Sequence, residues 1–220
     1  MSVIKLKPEQ RKEAAAMWAR SFFDYPLMVY SWPEPERRKR YLSHYLEWGI
    51  NYGLLHGEVY TTPDIAGVSI WLPPGQTHIT TWRYIWAGYI QLPFIMNLTN
   101  LFSKTMKNEK IVHKAHEGIM ADPHWYLWGI AVDPDHQGEG VGRALLQPGL
   151  DKADAAQLPC YLETHDEANV SYYEKRGFEM VHTEAVPDSD LRFWCFVREP
   201  QERIENHHQP SAQQLGKIHV

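Results

Sequence analysis

A layered α/β (α+β) fold is predicted by three features of the sequence. Short apolar runs that read as strands are interleaved with longer segments of helical periodicity. The most apolar strand, WYLWGIAV at Trp125–Val132, leads through a glycine-rich turn into an apolar helix. With 220 residues, 44% of them hydrophobic and 13% aromatic, the chain suits one domain carrying an insertion. Net charge is −5 and no long basic run occurs, which argues against nucleic acid as a partner. The nine tryptophans and twelve tyrosines must partly fill the core, and so many rings also suit a pocket wall.

In chain order, Val3–Leu6 reads as a short strand. Pro8 opens a helix through AAAMWARSFF, and Asp24-Tyr25-Pro26 closes it. Residues 36–53 form a second helix, with Tyr41, Leu42, Tyr45, Leu46 and Trp48 spaced for one apolar face. EVYTT and AGVSIWLPPG follow as strands, the second stopped by Pro73-Pro74-Gly75. Residues 81–118 are helical, aromatic-rich and read as the insertion. After the Trp125–Val132 strand, a helix runs to about Ala156. CYLET is a strand, ANVSYYEKRG a helix, and FEMVHTEAV and LRFWCFV the last strands. The domain is expected over 1–198, with 199–220 a polar, mobile tail.

Tyr84–Ser103 carries no charge and is long enough to span a bilayer. Gln91, Pro93, Asn97 and Asn100 interrupt it, so a buried helix pair broken near Pro93, or an amphipathic lid, is expected instead of a membrane segment. MSVIKLKPEQ holds no apolar signal region, and Cys160 and Cys195 match no metal spacing. A cytoplasmic protein is expected. His113, His116 and Glu117 share one helix but form no recognised metal set, and they read as a solvated face.

Within HQGEGVGRALL, Gly138, Gly140 and Gly142 alternate just ahead of the helix. Such a loop aims backbone N–H groups at one point, and the helix N-terminus adds partial positive charge, a cradle suited to pyrophosphate. A tight turn with no ligand is the alternative. A P-loop is excluded because Gly142 precedes Arg143-Ala144 rather than Lys-Ser/Thr, and a dinucleotide fold would place the loop near the first strand.

Gln137-Gly138-Glu139-Gly140-Val141-Gly142 resembles the Gln/Arg-x-x-Gly-x-Gly/Ala signature of the GNAT family of acetyl-CoA-dependent N-acetyltransferases. Asn169 through Phe178, NVSYYEKRGF, resembles that family's second signature, in order and at the expected distance. The resemblance implies a mixed, mostly antiparallel sheet, helices on both faces, and a fourth and fifth strand that splay apart around acetyl-CoA. It implies that Ile130, Ala131 and Val132 pair with the pantetheine arm, that Gln137, Gly138, Glu139, Gly140, Val141, Gly142 and Arg143 hold the pyrophosphate, and that Asn169 contacts the arm. Tyr173 matches the general acid. A phenol of pKa about 10 is protonated at pH 7 and can donate to a thiolate whose thiol pKa is about 8.5. Main-chain N–H groups near Val132 could serve the oxyanion.

The base is less defined. Many relatives carry a carboxylate on the fourth strand, and Trp125–Ile130 has none. Glu163 on the next strand is the first candidate, followed by His165, His124 and a water chain. Deprotonating a lysine-type amine at pH 7 costs about 4.6 kcal/mol, an α-amine about 1.4 kcal/mol. A less basic small-molecule amine, such as an aminoacyl α-amine, is therefore expected as acceptor. Tyr25, Tyr30, Trp71 and Trp128 are candidates for an aromatic acceptor pocket, each of which core packing would equally explain. Direct transfer in a ternary complex is expected, with no metal; a non-catalytic CoA-binding or partner-binding module is the alternative. Oligomeric state is left open.

Overall fold

The computed structural model describes residues 1–79 and 99–201. The first part of the expected insertion, most of the uncharged Tyr84–Ser103 stretch and the tail beyond 201 lie outside the described residues. The elements are β1 (Ile4–Lys5), α1 (Arg11–Ser21), α2 (Pro26–Ser31), α3 (Pro35–His56), β2 (Glu58–Thr61), β3 (Gly67–Leu72), α4 (Thr99–Ile119), β4 (Trp125–Val132), α5 (Val141–Ala156), β5 (Cys160–Thr164), α6 (Val170–Glu174), β6 (Glu179–Ala185) and β7 (Arg192–Arg198). Pro26 does more than stop a helix. It occupies the first turn of α2, where its missing N–H costs nothing.

Among the described residues, seven strands form one sheet in the order β1-β2-β3-β4-β5-β7-β6. All neighbours are antiparallel except β4 and β5, which run parallel. That pair holds together only at Trp125↔Cys160 and Tyr126↔Tyr161. Beyond Tyr126 the two strands part, and the facing edges of β4 and β5 are left without a strand partner. The register between β3 and β4 also shifts at Ile70/Trp71, so that Trp128 is an extra residue on β4. A bulge of this kind bends the strand and re-aims the residues after it.

Helices cover both faces of the sheet. One core cluster joins α1 and α3 to Val68, Ile70, Leu72, Tyr126 and Tyr161; the other joins α5 and α6 to Trp71, Trp125, Leu127, Cys160 and Leu162. Strand alternation sorts the side chains between the two. Trp71, flanked by Ile70 and Leu72, therefore faces α5 and is fully buried. Gly149 lets α5 approach that indole. A Cβ at Gly149 would lie 2.1 Å from Trp71 Cε2. Gly149→Ala is expected to destabilise the protein by about 1–3 kcal/mol through overpacking. In a chain of this size that lowers the melting midpoint by roughly 2–12 °C, measurable by circular dichroism.

Candidate active site

The divergence of β4 from β5 opens a cavity of about 1460 Å³. One wall comes from β4 and the start of α5. Asp133 accepts a hydrogen bond from the backbone N–H of Asp135 and so turns the chain after β4. Gly138 and Gly140 follow with φ of +84° and +85°. A Cβ on either would touch nothing within 4 Å, so the left-handed backbone, not crowding, requires glycine there. Gly142 differs. Its Cβ would fall 2.6 Å from the Tyr172 hydroxyl, so it permits α6 to pack on α5. Gly140 is the N-cap of α5 and has no side chain to cap with. The first intrahelical donor is Ala144, bonded to the Gly140 carbonyl at 3.0 Å. The N–H groups of Val141, Gly142 and Arg143 therefore lack intrahelical acceptors, at the positive end of a 16-residue helix. This open cradle fits an anion such as pyrophosphate.

The opposite wall is aromatic. Trp18 lies over β4 at Gly129, where a Cβ would meet its ring at 2.7 Å. Phe22 stacks on Tyr25 at 4.5 Å between centroids, and Trp48 meets Trp128 edge-on at 6.0 Å. Tyr25 is tied to β5: its hydroxyl accepts from the His165 N–H at 2.7 Å and pairs with Thr164 Oγ1 at 3.2 Å. Asn169 Nδ2 donates to the same Thr164 oxygen at 3.2 Å. Burial pushes the Tyr25 phenol up to about 12, so it stays neutral. Arg38, itself buried, donates to the Trp32 carbonyl at 2.7 Å and to Asp24 at 3.4 Å, which fixes the turns around α2 that position Tyr25.

Glu163 projects from β5 into this cavity. Its Oε1 accepts from the Tyr126 hydroxyl at 2.5 Å. Its Oε2 is shielded from solvent and finds no hydrogen-bond partner among the described residues. Burial raises the carboxyl to about 8; the Tyr126 and Tyr161 hydroxyls oppose that shift and the charge of Glu109 adds to it. Tyr173 lines the same cavity, and burial pushes its phenol well above the usual tyrosine range. Buried Cys160 and Cys195 are held as thiols, each pushed up to about 12, chiefly by burial.

Burial disfavours the charged form of three nearby histidines. His165 pairs through Nε2 with Asn108 Oδ1 at 3.0 Å, and burial lowers it to about 4. His116 and His124 share a 2.7 Å Nε2···Nε2 contact, and His124 Nδ1 donates to the Asp122 carbonyl at 2.7 Å. Burial lowers both, His116 to about 3. A histidine with a depressed folded pKa stabilises above its unfolded value near 6.5, and that stability drains away as pH falls toward the folded value. For His165 the loss between pH 6.5 and 4 is on the order of 3 kcal/mol. Melting midpoints are expected to drop through this window, and less steeply in His165→Gln.

The Acetyltransferase (GNAT) family model matches residues 18–178. An uncharacterized N-acetyltransferase of Schizosaccharomyces pombe is 26% identical over 212 residues, 91% of this chain and 84% of that protein. A mycothiol acetyltransferase of Propionibacterium freudenreichii is 35% identical over 88 residues, which is 37% of this chain and 28% of the relative's own length. A solved structure from Corynebacterium glutamicum, described as histone acetyltransferase HPA2 and related acetyltransferase, superposes with a TM-score of 0.66 at 20% identity. The superposition covers 92% of this chain and 98% of that one. The chain belongs to the GNAT acetyltransferase family. Membership makes it an acetyl-CoA-dependent N-acetyltransferase, and the mostly antiparallel sheet with its parallel, splayed β4–β5 pair is the fold expected from the sequence.

Most positions that match the GNAT motifs line this acetyltransferase's cavity: Ile130, Ala131, Val132, Gln137, Gly138, Gly140, Val141, Gly142, Arg143, Asn169 and Tyr173, together with Glu163, Tyr25 and Trp128. Three predicted residues stand elsewhere. Glu139 is exposed and does not line the cavity; its carboxylate pairs with His136, a lining residue, 3.0 Å from Nδ1. Tyr30 packs against Lys104, whose Nζ lies 5.1 Å from the ring centroid. Trp71 is on the α5 face of β3, as strand alternation requires. Among the base candidates, His124 is occupied by His116 and Asp122 and does not line the cavity. Tyr126, the partner of Glu163, was not signalled in the sequence, because the parallel β4–β5 pairing that brings the two together is non-local. Among the described residues, no helix is long and apolar enough to cross a membrane.

Proposed function

We propose that this acetyltransferase moves the acetyl group of acetyl-CoA directly to a small amine with an apolar or aromatic body, in a ternary complex. The observation that carries this reading is Glu163: a half-buried residue whose carboxyl is shielded from solvent at Oε2 and raised in pKa, in an aromatic-walled cavity that also contains the anion cradle at α5. Acetyl-CoA supplies an activated thioester. Gln137 through Arg143, Glu139 excepted, hold its pyrophosphate; the free edge at Ile130–Val132 takes its arm as a strand would; and Asn169 lies alongside. N–H groups near Val132 face the oxyanion. Glu163, as carboxylate, takes the ammonium proton, directly or through one water. The amine nitrogen bonds to the carbonyl carbon, the C–S bond breaks, Tyr173 protonates the departing thiolate sulfur, and the second proton, shed by the nitrogen as the amide forms, restores the Tyr173 phenol through water.

A Glu163 carboxyl near 8 is matched to an α-amine of pKa about 8 and poorly matched to a lysine-type amine. Tyr25 and Trp128 would bracket the acceptor. Buried thiols at Cys160 and Cys195 argue against an acetyl-cysteine intermediate, and free cysteines are in keeping with a reducing, cytoplasmic setting. Residues 1–198 are taken as one acetyltransferase domain. Phe23-Asp24-Tyr25-Pro26, Asp135-His136-Gln137-Gly138, Tyr161-Leu162-Glu163-Thr164 and Arg192-Phe193-Trp194-Cys195 resemble the puromycin N-acetyltransferase branch; the acceptor-contacting segments resemble it least, so puromycin is not presumed as the acceptor. A competition among small amines, followed by thiol release from acetyl-CoA, tests the reading. Aromatic and aminoacyl α-amines are expected to react fastest. Preference for lysine side chains, or for a protein terminus over every small amine, would overturn it.

A further inference from the structure

The rim of the acceptor cavity carries a cluster of metal-ligand type. His113 and Glu117 stand one turn apart on α4, with His113 Nε2 3.2 Å from Glu117 Oε1. His78, from the segment after β3, brings its Nδ1 to 3.7 Å from the same oxygen. The three ligand atoms lie within 4.8 Å of one another. Thr77 is buried and Ile79 half-buried in the cavity wall, while His78, at the bend between them, is exposed. In the sequence His113 and Glu117 formed no recognised set, because their third member is 35 residues earlier than His113 and reaches them only through the fold.

We propose that His78 Nδ1, His113 Nε2 and Glu117 Oε1 bind one divalent transition-metal ion, of which zinc fits the donor set. A tetrahedral zinc ion with bonds of about 2.0–2.2 Å holds neighbouring ligand atoms roughly 3.3–3.6 Å apart. The observed 3.2 and 3.7 Å fall on either side of that range, and the His78 and His113 nitrogens, within 4.8 Å of each other, close on the ion by side-chain rotation. Two imidazoles and one carboxylate also match the ligand types zinc takes when its fourth position is left to water. Side-chain exposures of 62%, 45% and 51% leave the site open to an ion arriving from solvent. The bound ion ties the segment after β3 to α4. Since Thr77, Ile79 and Val112 are wall residues beside the three ligands, occupancy fixes that wall of the acceptor cavity.

The test is a calorimetric titration of the chelator-treated full chain with zinc chloride, and a parallel titration with cobalt chloride followed by its visible absorption. One equivalent is expected, with the intense bands of a tetrahedral cobalt site and a rise in melting midpoint. His78→Ala, His113→Ala and Glu117→Gln should each weaken that equivalent by about tenfold or more while circular dichroism reports a folded chain. His207→Ala combined with His208→Ala, in the tail, should leave it intact. Absence of binding in zinc excess, or equal affinity in folded His113→Ala and Glu117→Gln proteins, overturns the proposal. Loss of the equivalent in the tail variant instead assigns it to the tail and also overturns it.

Discussion

Glu163→Gln is expected to slow acetyl transfer by about 10²–10⁴-fold at pH 8, the usual worth of a positioned base. Its pH profile should change as well. A carboxyl near 8 is about one-tenth ionised at pH 7 and one-hundredth at pH 6, so the wild-type rate should climb roughly tenfold per unit and level off above 8. The glutamine variant should lose that limb and keep only the titration of the amine. The same shift makes a stability prediction of definite sign. Between the ordinary carboxyl value of 4.5 and about 8, the folded chain keeps a proton that the unfolded chain has released. Stability from this group is therefore complete below 4.5 and lost as pH rises through 8. Glutamine carries no such proton, so the variant should gain melting temperature relative to wild type between pH 5 and 9. A rate unchanged by the substitution would remove Glu163 from the reaction and leave a water chain as base.

Tyr173→Phe is expected to lower kcat by about 10²–10⁴-fold while acetyl-CoA affinity changes little. Burial raises the phenol's pKa, which keeps it protonated near pH 7 and also makes it a weaker acid toward the thiolate. Acetyl donors whose thiols are more acidic need that proton less, and they should recover part of the lost rate in the variant. Equal losses with all donors would point to a packing role, since Tyr173 also contacts Phe178 and Phe196 at 5.9 and 5.6 Å.

Local signals carried much of this molecule. The apolar run Trp125–Val132 and the strand CYLET begin and end where the structure has them, because turn residues bracket each. The helix to Ala156 persists despite Pro148, since its apolar face buries Leu145, Leu146, Leu150 and Ala153. The alternating glycines are plain in the sequence, but their reasons differ: Gly138 and Gly140 are required by backbone angle, and Gly142 by Tyr172, a residue thirty positions on. Non-local pairings were less legible. Trp71 looked like a pocket ring in isolation, but which face of β3 it occupies depends on α5. Tyr126 and Glu163 meet because two parallel strands share one register before they part. His78 joins His113 and Glu117 for the same reason: their proximity is a property of the folded sheet and helix, not of spacing along the chain.

Acetyl-CoA in the β4–β5 cleft, against the N-terminus of α5, is what every proposed step requires. A thermal melt of the full chain with and without acetyl-CoA tests that. At about a hundred times Kd, binding stabilises by about 2.7 kcal/mol, a rise of roughly 5–11 °C for a chain of this size. A rise of this order, absent with acetate alone, is the predicted result. A folded protein whose midpoint does not move at saturating acetyl-CoA would contradict the account.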